Sequence, residues 1–411
     1  MTPGGRRRNS SAVASLLVVL LSLGAAATAV RPAPQAARAA ANNGTCLSRL
    51  EPFGYKCEEH TVTTADGYIL SLQRIPGGRG RGSGQSAAGS KIPVLLQHGL
   101  LMDGVTWLMS SPDESLGYIL ADGGYDVWIA NTRGTVYSRG HTTLSSSDPA
   151  YWDWSWDELA SNDLSAVVQY VYAQSGQQRM HYVGHSLGTL IAFAALSQRQ
   201  QLGMLRSAGL LSPIAYLDKV TSPLALAGAD VFLAEAMYWL GLDEFDPTGE
   251  PVHKLLTDIC SQPGIDCYSL MSVFTGDNCC LDNSSVQVFL AHEPQASATK
   301  NMVHLAQRTL AKYDYGNAAD NTKHYGQATP PAYDLSAIPD DFPLFLGYGG
   351  RDTLSDPQDV SHLLQVLKSH HGDKLTVQYV DDYAHADFVM AANARERVYA
   401  PLMAFFKLQD K

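Results

Sequence analysis

The chain has 411 residues, 45% of them hydrophobic and 17% charged, with a formal net charge of −11. That composition supports a core of ordinary enzyme size. The negative balance excludes a general affinity for nucleic acid or anionic membranes and favours an uncharged substrate.

The first 29 residues read as a secretory signal peptide. Arg6, Arg7 and Arg8 precede an uncharged stretch at 12–23, and Ala27, Thr28 and Ala29 form a small-x-small cleavage site. No later run reaches about 18 apolar residues, so no stable membrane anchor is expected. A secreted or vacuolar/lysosomal destination follows from such a leader. In an oxidising compartment the six cysteines should pair. Proximity favours Cys46 with Cys57, while Cys260, Cys267, Cys279 and Cys280 fall within one local element. Their spacing lacks the paired ligands of a zinc site, so no metal is expected. Asn43 and Asn283 stand in N-x-S/T triplets and read as glycan acceptors.

After the leader, 58–63 and 68–74 flank Ala65, Asp66 and Gly67, the pattern of a β-hairpin. A Gly/Ser/Arg-rich stretch at 77–90 reads as a loop. Apolar runs without alternation then recur at 92–97, 125–130, 179–183, 208–211, 342–348 and 375–380, most of them separated by helical patterns such as 158–173 and 361–369. Unbroken apolar strands alternating with helices predict an α/β fold, with a mostly parallel central sheet covered by helices on both faces. The predicted core runs over 30–212 and 341–411.

About 130 residues separate the strands at 208–211 and 342–348, too many for a structureless connection. The expectation is an inserted, mainly helical cap with a lid over 213–340, carrying helical patterns at 231–242, 253–259 and 302–312. Phe232, Leu233, Ala236, Met237 and Leu240 form an apolar stripe at helical spacing, a core-facing pattern. Trp152, Trp154 and Trp156 are expected to pack at the start of the helix that follows them.

The chemistry is sought at the ends of these strands. The run 179–183 leads directly into Gly184, His185, Ser186, Leu187 and Gly188, followed by a helix-forming apolar stretch. A serine on so sharp a strand-to-helix turn is held above the sheet, with flanking glycines removing clashes. It is the candidate nucleophile, and the N–H of Leu187 at the helix start is a candidate oxyanion donor. The acid is expected after a later strand, where Asp352 ends the run GYGGRD, with Asp356 as its competitor. The base is expected in the loop after 375–380, which holds one histidine, His385. Ser186, Asp352 and His385 occur in the chain order typical of one hydrolase superfamily. His98, Gly99 and Leu100 follow the strand at 92–97; the N–H of Leu100 is the second candidate oxyanion donor and His98 a structural hydrogen-bonding group.

The runs LLQHGLL at 95–101, GYDVWIANTRG at 124–134, WSWDEL at 154–159, HYVGHSLG at 181–188 and GYGGRD at 347–352 together resemble the acid lipase family, which includes gastric, lysosomal and plant triacylglycerol lipases. The resemblance runs from about Cys57 to the C-terminus and is densest around the candidate site. It implies an α/β-hydrolase fold with cap and lid, cleaving ester bonds of neutral lipids at an oil–water or membrane interface. Carried onto this chain, it makes Ser186 the nucleophile, Asp352 the acid and His385 the base, with Leu100 and Leu187 as oxyanion donors and no cofactor. Leu187 stands where animal members usually have Gln, and the pair Cys279 and Cys280 is similar to plant members. The alternatives are a soluble carboxylesterase or thioesterase, or a non-catalytic binding protein on the same fold. An intact set of Ser186, Asp352 and His385 disfavours the last.

Overall fold

The hairpin forms as its turn residues dictate. β1 (Glu58–Thr63) and β2 (Tyr68–Ile75) pair antiparallel, and Thr64 N–H closes the turn on Tyr68 O at 2.8 Å. The computed structural model describes residues 44–79, 91–221, 243–246, 272 and 274–410. All of them lie in the second of two compact units, Met1–Ala39 and Ala40–Lys411. The leader, Asn43, the apolar stripe at 232–240, the helical patterns at 231–242 and 253–259, and Cys260 and Cys267 lie outside the described residues.

β3 (Pro93–Gln97) and β4 (Asp126–Ala130) are buried along their whole length. A short β5 (Gly140–His141) pairs with β2. β6 (Met180–His185), again wholly buried, and β7 (Leu205–Leu211) continue the sheet. β8 (Glu244–Phe245) and β9 (Ser297–Ala298) make a separate two-stranded ribbon. β10 (Leu344–Gly349) and β11 (Leu375–Val380) complete the set. The main sheet has the order β1-β2-β4-β3-β6-β7-β10-β11, parallel from β4 onward. Strands so continuously apolar need cover on both faces, and the two core clusters provide it, one rich in the tryptophans and the helix after β6, the other in the C-terminal helix Ala400–Gln409. This is the predicted mixed-then-parallel architecture.

β7 and β10 are neighbours in space, yet residues 212–343 lie between them in sequence. That interval holds helices Asn283–His292, Thr299–Ala306 and Ala318–Tyr325. The helix expected over 302–312 ends at Ala306, because the chain beyond is drawn into a bridge: Ala311 pairs with Ala332, and Lys312 N–H bonds Pro331 O at 2.9 Å. The helix expected over 361–369 begins earlier, at Pro357, whose fixed φ suits a first turn.

Two of the runs that carry the family resemblance have structural work. Arg133 is buried against Asp66 at 2.7 Å and Asp163 at 2.6 Å, with its guanidinium 3.7 Å from the Tyr68 ring centroid. It thereby ties the hairpin, the end of β4 and the following helix into one ion-pair network, buried at Arg133 and Asp163 and exposed at Asp66. Trp152, Trp154 and Trp156 are all buried, as expected, and Ser155 and Glu158 form a reciprocal cap at the helix start.

Candidate active site

From Met180 to Ser197 every residue is buried except Ser186. Its backbone adopts φ 54° and ψ −119°, a conformation that non-glycine residues avoid and that persists where surrounding structure enforces it. The enforcing contacts are visible. Ser186 N–H bonds Leu211 O at 3.1 Å on the neighbouring strand, and its carbonyl accepts from Thr189 N–H at 2.8 Å inside the first helical turn. The helix Leu187–Ser197 is buried on all sides and pressed onto the sheet. A Cβ on Gly188 would lie 2.6 Å from Gln97 O, and one on Gly184 would lie 2.7 Å from Gly188 O. Only glycine allows that approach, so the spacing of the motif is a packing requirement.

Leu187 opens the helix, where first-turn N–H groups have no intrahelical acceptor. The turn after β3 comes alongside: a Cβ on Gly99 would be 3.0 Å from Ser186 Cβ. Among the described residues the Leu100 N–H has no protein acceptor. Leu101 takes φ 57°, and its carbonyl is fixed by Gln295 N–H at 2.8 Å. Both candidate oxyanion donors therefore belong to segments that converge on Ser186.

Asp352 and His385 are brought together. His385 Nδ1 sits 3.0 Å from Asp352 Oδ1 and 2.9 Å from Oδ2, and both side chains are buried. Asp352 Oδ1 also accepts from Leu354 N–H at 2.9 Å and Ser355 N–H at 2.8 Å, which aims the carboxylate. A carboxylate on Nδ1 leaves Nε2 as the ring atom available for proton transfer. The His385 backbone joins the serine strand: its carbonyl accepts from His185 Nε2 at 3.0 Å and from Ser212 Oγ at 3.3 Å. Asp356, the competing acid, caps the helix at Pro357 by accepting from Gln358 N–H at 2.8 Å.

Three further groups hold the site, and sequence reasoning gave two of them no role. His185, buried with its ring centroid 4.9 Å from that of His385, is pushed down to about 3 by desolvation and by the neighbouring His385, so it stays neutral. Asp387, fully buried, accepts from Ala384 N–H at 2.8 Å and from Cys279 and Cys280 N–H at 3.2 Å each. It anchors the His385 loop to the 275–281 stretch, which also gives Thr275 O to His385 N–H at 3.0 Å. Burial raises the Asp387 carboxyl to about 6. The only sequence signal was its place two residues after His385. The third group, His98, is structural as expected: Nδ1 donates to Gly99 O at 2.8 Å, Nε2 accepts from Thr132 N–H at 3.1 Å, and burial lowers it to about 4.

Cys46 pairs with Cys57, and Cys279 with the adjacent Cys280. Cys279, Cys280 and Asp382 cluster closely enough to suggest a metal site, but sulfurs bonded to each other offer no thiolate. Asn283 opens the helix Asn283–His292.

The chain is similar to known lipases over most of its length. A family profile described as "Partial alpha/beta-hydrolase lipase region" matches residues 48–111, and one described as "alpha/beta hydrolase fold" matches 92–236. Triacylglycerol lipase 2 of Arabidopsis thaliana is 50% identical over 94% of this chain and 93% of its own. The chain belongs to the acid lipase family. The gastric triacylglycerol lipase of Rattus norvegicus is 35% identical over 86% of this chain and 89% of its own. Among solved structures, a soluble variant of the monoglyceride lipase of Saccharomyces cerevisiae superposes with a TM-score of 0.56 at 14% identity, covering 87% of this chain and 95% of that one, a likeness of fold. This acid lipase family chain is an α/β-hydrolase of the lipase and carboxylic ester hydrolase class.

Proposed function

We propose that the protein is a secretory-pathway lipase that hydrolyses neutral lipid esters through Ser186, His385 and Asp352. The observation that carries this reading is the Asp352 carboxylate seated on His385 Nδ1 at 2.9–3.0 Å, with the His385 carbonyl bonded by His185, the residue before Ser186. In the proposed reaction His385 Nε2 takes the Ser186 proton as Oγ attacks the ester carbonyl. The N–H groups of Leu100 and Leu187 receive the oxyanion, and Asp352 stabilises the imidazolium. His385 then protonates the leaving alcohol, and water releases the acid from the acyl-enzyme by the same steps. His185, kept neutral by burial, adds no second positive charge beside the imidazolium.

Substrate class rests on the triacylglycerol lipase relatives and on the net negative charge, which suits uncharged esters. The leader at 1–29, the disulfides and the acceptors Asn43 and Asn283 support export, with glycosylation at both sites. The inserted segment, read as a cap over 213–340, sits in sequence where it supplies the contacts to the His385 loop. Among the described residues no helix is long and apolar enough to cross a membrane. The test compares hydrolysis of a soluble short-chain ester with that of an emulsified long-chain triacylglycerol, using the wild-type protein and Ser186→Ala. Interfacial activation abolished in the variant supports the lipase; turnover of the soluble ester alone moves the assignment to a carboxylesterase.

A further inference from the structure

Three residues past Leu100, the chain buries an acid against another acid. Asp103 is fully enclosed and Glu293, 190 residues later, nearly so. Asp103 N–H donates to Glu293 Oε1 at 2.9 Å, and Asp103 Oδ1 accepts from Val105 N–H at 2.7 Å. The remaining oxygens, Asp103 Oδ2 and Glu293 Oε2, are buried without a donor from any other described group. Among the described residues no Lys, Arg or His forms an ion pair with either carboxyl. The groups facing them are the Val105 N–H, Gln295 and the phenol of Tyr137, which burial and then Asp103 push up to about 12.

Two enclosed carboxyls without a cation cannot both ionise, and one proton held between them satisfies both orphan oxygens. We infer that Asp103 and Glu293 share a proton and act as a positioning pair, clasping the Leu100–Asp103 turn to the inserted segment. The same stretch supplies the Gln295 N–H that fixes Leu101 O, a second point on the turn, and Gln295 Oε1 holds Val136 N–H at 2.9 Å in the loop after β4. The inference rests on the reading of Leu100 as an oxyanion donor. Burial raises both carboxyls above the ordinary carboxylate range, and Glu293 is raised further by the neighbouring Asp103. A raised acid is held protonated by the fold. Its stabilisation is complete below the ordinary carboxylate range and is lost as pH rises through the raised range; once the last shared proton leaves, two charges repel within the clasp.

Displacing the turn withdraws a donor used in the transition state, so kcat falls on the alkaline side while KM for a soluble short-chain ester holds. The experiment measures both constants from about pH 5 to about pH 9 for wild type, Glu293→Gln, Glu293→Ala and Ser186→Ala. The amide keeps an acceptor for Asp103 N–H and needs no shared proton, so Glu293→Gln is expected to raise the ratio of alkaline to acid kcat by about tenfold over wild type. Glu293→Ala, which strands Asp103 N–H, is expected to lower kcat by about tenfold throughout. An alkaline limb in Glu293→Gln identical to that of wild type overturns the proposal. If the Glu293 variants fail to fold, infrared titration of the wild-type protein decides: a protonated-carboxyl band persisting at neutral pH is expected, and its absence overturns the shared proton. Hydrolysis surviving in Ser186→Ala would instead sink the assignment of the site, leaving the infrared result to judge the pair.

Discussion

The serine side and the histidine side of the site are held by different means. Ser186 is fixed by its own strand and helix, by Leu211 O on the next strand, and by glycines that let the helix press onto β3. Nearly everything that shapes it lies within the core. Asp352 and His385 stand on loops after β10 and β11, and their placement is shared with the inserted segment: Gly276 bridges Asp352, Thr275 O takes His385 N–H, and Cys279 and Cys280 reach Asp387. The proposed nucleophile is thus held by packing within the sheet core, while the proposed acid–base pair also draws on contacts from the inserted segment, more than 70 residues away in sequence. The two halves should fail differently when disturbed.

The largest effect is expected at the acid. Asp352→Asn keeps the shape but removes the charge that orients His385, and kcat should fall by about 10⁴-fold; Asp356→Ala should leave kcat intact and cost about 1 kcal/mol of stability as a lost helix cap. Ester hydrolysis and thermal unfolding of both variants separate the two acids. Next comes the serine side: Gly188→Ala drives a methyl into Gln97 O, and unfolding in denaturant should register a loss of about 2 kcal/mol or more, with activity falling through misfolding. On the histidine side, Asp387→Ala leaves three N–H groups without their acceptor, the one on Ala384 buried and those on Cys279 and Cys280 half-buried. It should lower kcat by roughly tenfold or more while KM for a soluble ester changes little, since the loop and not the substrate pocket is disturbed. Equal loss of kcat and stability in both halves would break the contrast.

The smallest effect concerns pH. His98 and His185 are buried neutral, lowered to about 4 and about 3. The unfolded chain binds their protons more readily, so the stability they contribute is complete above about pH 6.5 and drains as pH falls towards those values. His98→Gln should flatten part of the decline of melting temperature with acidification. An unchanged slope would mean that the serine side does not carry this acid sensitivity.

The same contrast governs what could be read in advance. Strands 92–97, 125–130 and 179–183 were legible because buried parallel strands are apolar without interruption, and Ser186 because its flanking glycines announce a tight approach. Asp352 and His385 were reachable by chain order and strand position, and Asp356 is set apart by its capping bond to Gln358 N–H while Asp352 sits on His385 Nδ1. Asp387 and Glu293 were not legible. Their partners lie 107–108 and 190 residues away, and nothing local distinguishes them from surface carboxylates. The premature end of the helix at Ala306 has the same origin, a distant strand segment claiming its backbone.

The central claim is that Ser186 is the nucleophile served by His385 and Asp352. Its most direct test treats the purified protein with a phosphonate ester and maps the adduct by peptide mass spectrometry, alongside Asp352→Asn. One adduct on Ser186, formed far more slowly in Asp352→Asn, is the result this account predicts. An adduct on another residue, or full ester hydrolysis with Ser186 unlabelled, would contradict it.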